Sequence, residues 1–202
     1  MCKIDWNLVI NFFNALGTIA VAILAIWGDW VKYRFLKPKI IIQPHNLTGV
    51  AAQAENALYY HLKVVNRRHW TPAKNCRVAL REIHKQLPNS DYKKYPLIID
   101  CSFVWSPRKY TALQANITHE HVFDFLRVDL NNKTVKPVLN FTPQSFEGNI
   151  IPNQKIIYAL QIVADGFQSD ELKFYEVFWD GQLAENLSEM ARHLFIKEVK
   201  AS

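Results

Sequence analysis

The polarity of the chain changes period twice. From Trp6 to Gly28 there are 23 residues without a charge. As a helix this run is about 34 Å long, enough to cross a hydrocarbon core of about 30 Å. Trp6 lies at one end and Trp27, Trp30 and Tyr33 at the other, where interfacial aromatics belong. Lys37-Pro38-Lys39 stops the helix, because proline cannot continue it and pushes the preceding residue toward extended geometry. From there the period is 2. Ile40-Ile41-Ile42 begins a first strand, and Leu58, Tyr60, Leu62 and Val64 alternate with Tyr59, His61, Lys63 and Val65. Cys76, Val78 and Leu80 alternate with Arg77, Ala79 and Arg81, while Leu97, Ile99, Cys101, Phe103 and Trp105 form another inward set. Similar runs cover 122–130, 136–141, 155–164 and 171–179. After Asp180-Gly181, the spacing of Leu183, Leu187, Met190 and Leu194 predicts a final helix within 182–199, packed on the sheet.

The expected fold is mainly β. Residues 1–37 hold a short outer N-terminus and a transmembrane helix. Residues 38–202 form an antiparallel β-sandwich, Ig-like or barrel-like, of about eight strands with a C-terminal helix. No repeat, low-complexity stretch or internal linker interrupts it.

A cleaved leader is the competing reading of the apolar run. Lys3 is partly offset by Asp5, and the small-x-small triplet Ala20-Val21-Ala22 is followed by Ile23, Leu24, Ala25, Ile26 and Trp27 rather than a polar start. A retained anchor is favoured. One basic residue, Lys3, precedes the span, whereas Lys32, Arg34, Lys37 and Lys39 follow it. This bias places the N-terminus outside and residues 38–202 in the cytoplasm, at the plasma (inner) membrane. Of the net charge of +6, residues 1–39 supply five basic and two acidic side chains. The remainder is close to balanced, so no duplex nucleic-acid partner is expected.

Asn7, Asn11, Asn14, Thr18, Val21, Ala25 and Gly28 step by four and three and share one stripe. Helices in lipid associate through small residues and interhelical hydrogen bonds. The stripe therefore predicts a homo-oligomer with Asn7, Asn11, Asn14, Thr18 and Ala25 at the seam. The plainer reading is an anchor that tolerates polar residues near its outer end.

Composition narrows the chemistry. Half the 202 residues are hydrophobic and 21% charged, which excludes a disordered chain. Three cysteines exclude a dense disulfide scaffold and a four-cysteine zinc site. There is no phosphate-binding glycine loop, nucleophile elbow, HExxH or CxxC, and no cofactor or enzymatic activity is expected. His119-Glu120-His121 would project both imidazoles from one face of a strand, but a third metal ligand has no source in the spacing. Asp165, Asp170 and Glu171 flank a turn and read as solvation. Cys76 and Cys101 read as small core residues in a reducing cytosol. In an inverted topology they would instead form a disulfide bridging the sheets. Sequons at Asn46, Asn116, Asn140 and Asn186 favour that inversion, and the flanking charges oppose it.

Basic residues pair with aromatics in three predicted loops: Arg67-Arg68-His69-Trp70, Tyr92-Lys93-Lys94-Tyr95 and Arg108-Lys109-Tyr110. With strands alternating in direction, the first and third loops face the bilayer and the second faces away. Arg67, Arg68, Trp70, Arg108, Lys109 and Tyr110 then read as contacts to anionic lipid headgroups or as plain solvation. The sharper reading is a nucleotide site, with Arg on phosphate and Trp70 or Tyr110 stacked on a base.

Several local features match across this layout: Lys37-Pro38-Lys39, Leu62-Lys63-Val64-Val65-Asn66, Ala73-Lys74-Asn75 with Val78, Trp179-Asp180-Gly181 and Glu189-Met190. On these the chain resembles a scattered, mostly uncharacterised group of bacterial single-pass proteins with one helix and a cytosolic β-sandwich. In organisation it is also similar to the small membrane-plus-β effectors of anti-phage systems, which sense a nucleotide signal and damage the membrane. That likeness is architectural and transfers no residue roles. It implies a non-enzymatic, oligomeric membrane effector or sensor that receives a ligand or protein partner at its β domain, with antiviral defence as the setting. The alternative is a static tether whose sandwich holds another protein at the membrane.

Overall fold

The charge-free run forms one helix. In the computed structural model, which describes residues 6–107, 114–169 and 171–200, α1 spans Trp6–Leu36. Within it Val9–Gly28 is long and apolar enough to cross a membrane. The helix stops just before Lys37-Pro38, where the chain divides into two units, Met1–Lys37 and Pro38–Ser202.

The second unit consists of two antiparallel sheets. The strands are β1 (Ile40–Ala52), β2 (Ala57–Asn66), β3 (Ala73–Gln86), β4 (Tyr92–Ser102), β5 (Val104–Trp105), β6 (Ala115–Ile117), β7 (Glu120–Asp129), β8 (Thr134–Pro137), β9 (Gln154–Ala164), β10 (Phe167–Gln168), β11 (Lys173–Trp179) and β12 (Leu194–Val199). One sheet has the order β1-β2-β7-β5, with β8 also on β7. The other has the order β12-β11-β9-β3-β4, with β10 on β9 and β6 on β3. Alternation decides the inner faces: Leu58, Tyr60, Leu62 and Val64 of β2 meet Phe123, Phe125 and Val128 of β7 and, across the sandwich, Ile156, Tyr158, Leu160 and Ile162 of β9. Tyr158 is fully buried and donates its hydroxyl to the Gly148 carbonyl at 2.6 Å, which leaves no polar group of that side chain unmet.

Three expectations change in detail. The inward set from Leu97 to Trp105 is broken, and Ile99 is exposed. Between the pairs Leu80↔Cys101 and Glu82↔Pro96, residues 97–100 face the single residue Arg81, a wide irregularity that resets the alternation. The chain then changes sheets at Phe103, so β4 and β5 belong to opposite layers. Tyr92-Lys93-Lys94-Tyr95 belongs to β4 and not to a loop. The C-terminal helix is present but short, α2 (Leu187–Met190), capped by the Asn186 side chain accepting from Ser188 N–H. Leu183, Leu187, Met190 and Leu194 do pack on the core. Beyond α2, however, Leu194–Val199 pairs with the open edge of β11, and Lys173–Glu198 and Lys197–Glu176 ion pairs cross that seam.

Candidate functional site

The strand directions give the sandwich two ends. The proximal end is where β1 begins at Ile40, and it carries the loop from β2 to β3, the link from β6 to β7 and the turn from β9 to β10. Two asparagines fasten these segments. Asn66 is fully buried. Its side-chain amide donates to the carbonyls of Thr71 (2.8 Å) and Ile117 (3.2 Å), and its oxygen accepts from Arg68 N–H (3.0 Å). Its backbone N–H reaches the His119 carbonyl at 2.7 Å. Asn75 sits at φ 50°, a conformation asparagine tolerates. Its N–H donates to the Asn116 side chain and its amide to Asp165. The loop 67–72 is thus held from both sides, with Thr71 N–H closing a turn onto the Arg68 carbonyl.

This loop presents Arg67 exposed, Arg68 half-buried and Trp70 at 71% exposure. Arg67 N–H donates to the Lys39 carbonyl at 2.8 Å, continuing the β1–β2 ladder one pair beyond Ile40↔Asn66. Ile40 and Asn66 point inward, so Lys39 and Arg67 stand side by side on the outer face of the sheet. Among the described residues no carboxylate pairs with Lys39, Arg67 or Lys74. Glu120, lying opposite Val65 on that face, bonds Lys63 at 2.8 Å, and that bond, with the lysine charge, holds its carboxyl below the usual range. Arg108, Lys109 and Tyr110 lie outside the described residues. The segment before them leaves β5 at the proximal end, where Ser106 N–H donates to the Val122 carbonyl.

The other basic-aromatic run does not form a site. Tyr92 and Lys94 lie on the outer face, where Tyr92 donates to Glu176 and Lys94 pairs with Glu82. Lys93 lies over the Tyr95 ring at 5.0 Å.

The histidines separate. His119 stacks on His69 with centroids 4.6 Å apart, while His121 packs edge-on to Trp105 at 5.1 Å, and burial lowers its pKa. His61 is bonded to Asp124 and His84 to Glu82. Among the described residues no group of three or more His, Cys, Asp or Glu gathers as a metal site. Asp165 is taken by Asn75, and Asp170 lies outside the described residues.

Cys76 and Cys101 are buried free thiols, and burial pushes the Cys76 thiol up to about 12. Both belong to the seven-stranded sheet, on adjacent strands, with Cys101 opposite Leu80. Four residues of offset is about 13 Å, beyond the reach of a disulfide. The alternative of a bridge between sheets is therefore overturned, and both side chains are buried as core residues. Asn116, Asn140 and Asn186 of the sequons each accept a backbone N–H, from Asn75, Ser102 and Ser188.

On α1, Asn7, Asn11, Asn14, Thr18 and Ala25 are exposed, spread over an arc of about 60° at 100° per residue. Thr18 donates its hydroxyl back to the Asn14 carbonyl at 2.9 Å. The amides of Asn11 and Asn14 bond to no described residue.

Fold and site together define a two-sheet antiparallel sandwich that follows, in the chain, a helix of membrane-spanning length, with basic side chains gathered at the end of the sandwich where β1 begins. No protein-family model matches the chain, and no curated protein matches it.

Proposed function

We propose that this chain is a non-enzymatic, membrane-anchored effector or sensor. It associates with its copies through the helix stripe and receives a ligand or partner at the proximal end of the sandwich. The observation that carries this reading is the pair of Asn11 and Asn14 amides, exposed on one face and unmet among the described residues. In hydrocarbon such amides find partners on a neighbouring helix. Thr18 gives its hydroxyl proton to its own helix, so across the seam it can act only as an acceptor. The basic flank Lys32, Arg34, Lys37 and Lys39 supports a cytoplasmic β domain at the plasma (inner) membrane. The layout supports a role like that of anti-phage effectors.

Native mass spectrometry of the full chain in mild detergent tests this. A mass of 23.5 kDa per protomer separates a retained anchor from a cleaved leader. With Asn11→Leu and Asn14→Leu together, association should weaken about tenfold, since interhelical polar bonds in lipid contribute about 0.6 kcal/mol each and reach about 1.7. An unchanged oligomer would refute the seam.

One observation favours a tether. Because Lys39 and Arg67 form a hydrogen-bonded pair, Ile40 and Ile42 turn their N–H and C=O groups away from β2. Among the described residues that edge carries no other strand, and it borders a groove of about 340 Å³ lined by Leu160, Ile162 and Phe167. An added strand would use it. An equimolar protein that co-purifies with the wild type and is lost with Ile42→Pro would favour this reading.

A further inference from the structure

We propose that Lys39 and Arg67 clamp the phosphate of an anionic lipid headgroup, with Trp70 lying beside it at headgroup depth. The proposal rests on the anchored reading above and names the ligand of the proximal end. Three features of the fold lead to it. First, like charges directly opposite in a sheet repel at about 5 Å between Cβ atoms, and here no described carboxylate relieves them. Glu120 on the same face is committed to Lys63. An anion between the two side chains supplies what the chain leaves out, and a phosphate accepts from guanidinium and ammonium together.

Second, the loop is built to hold its position. Buried Asn66 fixes both the Thr71 carbonyl and the Arg68 N–H. Arg67 and Trp70 are therefore presented by a fixed turn, not by a chain that must be ordered on binding. An indole left 71% exposed on such a turn is favourable at the membrane interface, where one edge is apolar and the other wet.

Third, chain connectivity selects the source of the phosphate. Lys39 follows the last helical residue, Leu36, by three positions, so it stays within about 10 Å of the helix end. A soluble nucleotide would need a pocket that buries most of it; the groove of about 340 Å³ that Lys39 borders also holds the Glu171 carboxylate and does not include Arg67, which is exposed.

The test uses the full chain in mild detergent doped with equal amounts of phosphatidylglycerol and phosphatidylcholine, with retained lipid counted by native mass spectrometry. Wild type should retain the anionic lipid about thirtyfold more strongly than Lys39→Gln/Arg67→Gln, from the usual strength of two basic residues near a membrane surface. Lys133→Gln/Lys136→Gln, which leaves the proximal pair intact, should match wild type. Equal retention in the two double variants would overturn the clamp. So would competition by millimolar inorganic phosphate that empties the site of lipid, because a free phosphate would then be the ligand. The oligomer number is read in the same spectra, so failure of the helix seam and failure of the clamp are separate results.

Discussion

Removing the Asn66 side chain should uncouple the proximal loop from the core at a measurable cost. Asn66→Ala deletes two donated bonds and one accepted bond. The Ile117 carbonyl, on a residue only 1% exposed, loses its side-chain donor with little access to water, at about 1–3 kcal/mol. The Arg68 N–H and Thr71 carbonyl are less deeply placed and lose about 0.5–1 kcal/mol each. The sum is about 3 kcal/mol, or a fall of about 6–12 °C in Tm for a domain of this size. Circular dichroism of the full chain in detergent measures it, and hydrogen exchange of the Arg68 and Thr71 amides should rise with it. Asn66→Asp is the sharper variant. It keeps the acceptor for Arg68 N–H but points oxygens at the Thr71 and Ile117 carbonyls, so it should lose more than alanine. A Tm for Asn66→Ala within about 1 °C of wild type, or an aspartate variant as stable as asparagine, would refute the fastening role.

Gly148→Ala should destabilise by about 1–3 kcal/mol, because the added Cβ would clash with Cζ of the buried Phe146 ring. A lower urea midpoint at unchanged slope is expected, and an unmoved midpoint would show that the ring yields freely. Asp180 has its carboxyl held below the usual range, first by the His193 imidazole at 2.8 Å and then by Gln182 N–H. A depressed carboxyl stabilises the fold above about pH 4 and loses that contribution as pH falls through its folded value. Asp180→Asn should therefore flatten the acid limb of stability below about pH 4, and an unchanged limb would show that the pair contributes nothing.

What could be read from the sequence was local. The charge-free run ending at Lys37-Pro38-Lys39 marks α1 because helix length and a stop are properties of consecutive residues. Alternation marks β2, β7 and β9 for the same reason. The change of sheet at Phe103 and the irregularity opposite Arg81 depend on which strand lies next door, and periodicity carries no information about that. The final stretch misleads in a particular way. Leu187, Met190 and Leu194 keep helical spacing and are buried or half-buried as it requires. Leu194 and Ile196, however, also satisfy a period of 2, and the open edge of β11 selects the strand. Asn66 was visible only as the end of an alternating run. Two of its partners, Ile117 and His119, lie about fifty positions away, and the pairing of Lys39 with Arg67 spans most of β1 and β2. A residue's face is written locally, but its partners are not.

The net charge of the chain is the wrong quantity for judging whether this domain would meet a membrane. The distal turns, 53–56, 87–91, 130–133, 147–153 and 180–193, carry Glu55, Asp91, Glu147, Asp180, Glu185 and Glu189 against Lys133 and Arg192. Among the described residues the proximal segments carry Lys39, Arg67, Arg68, Lys74 and Lys200 against Asp165 and Glu171, with Glu120 neutralised by Lys63. A ten-residue strand such as β2 separates the ends by about 33 Å, roughly four Debye lengths at physiological ionic strength. A charged surface at one end therefore does not sense the other. The acidic turns would neither oppose nor assist the proposed lipid binding at Lys39 and Arg67, and substitutions there should leave it unchanged. The two clamp residues are two of those five basic side chains. Raising salt should thus weaken lipid retention by the wild type far more than by Lys39→Gln/Arg67→Gln.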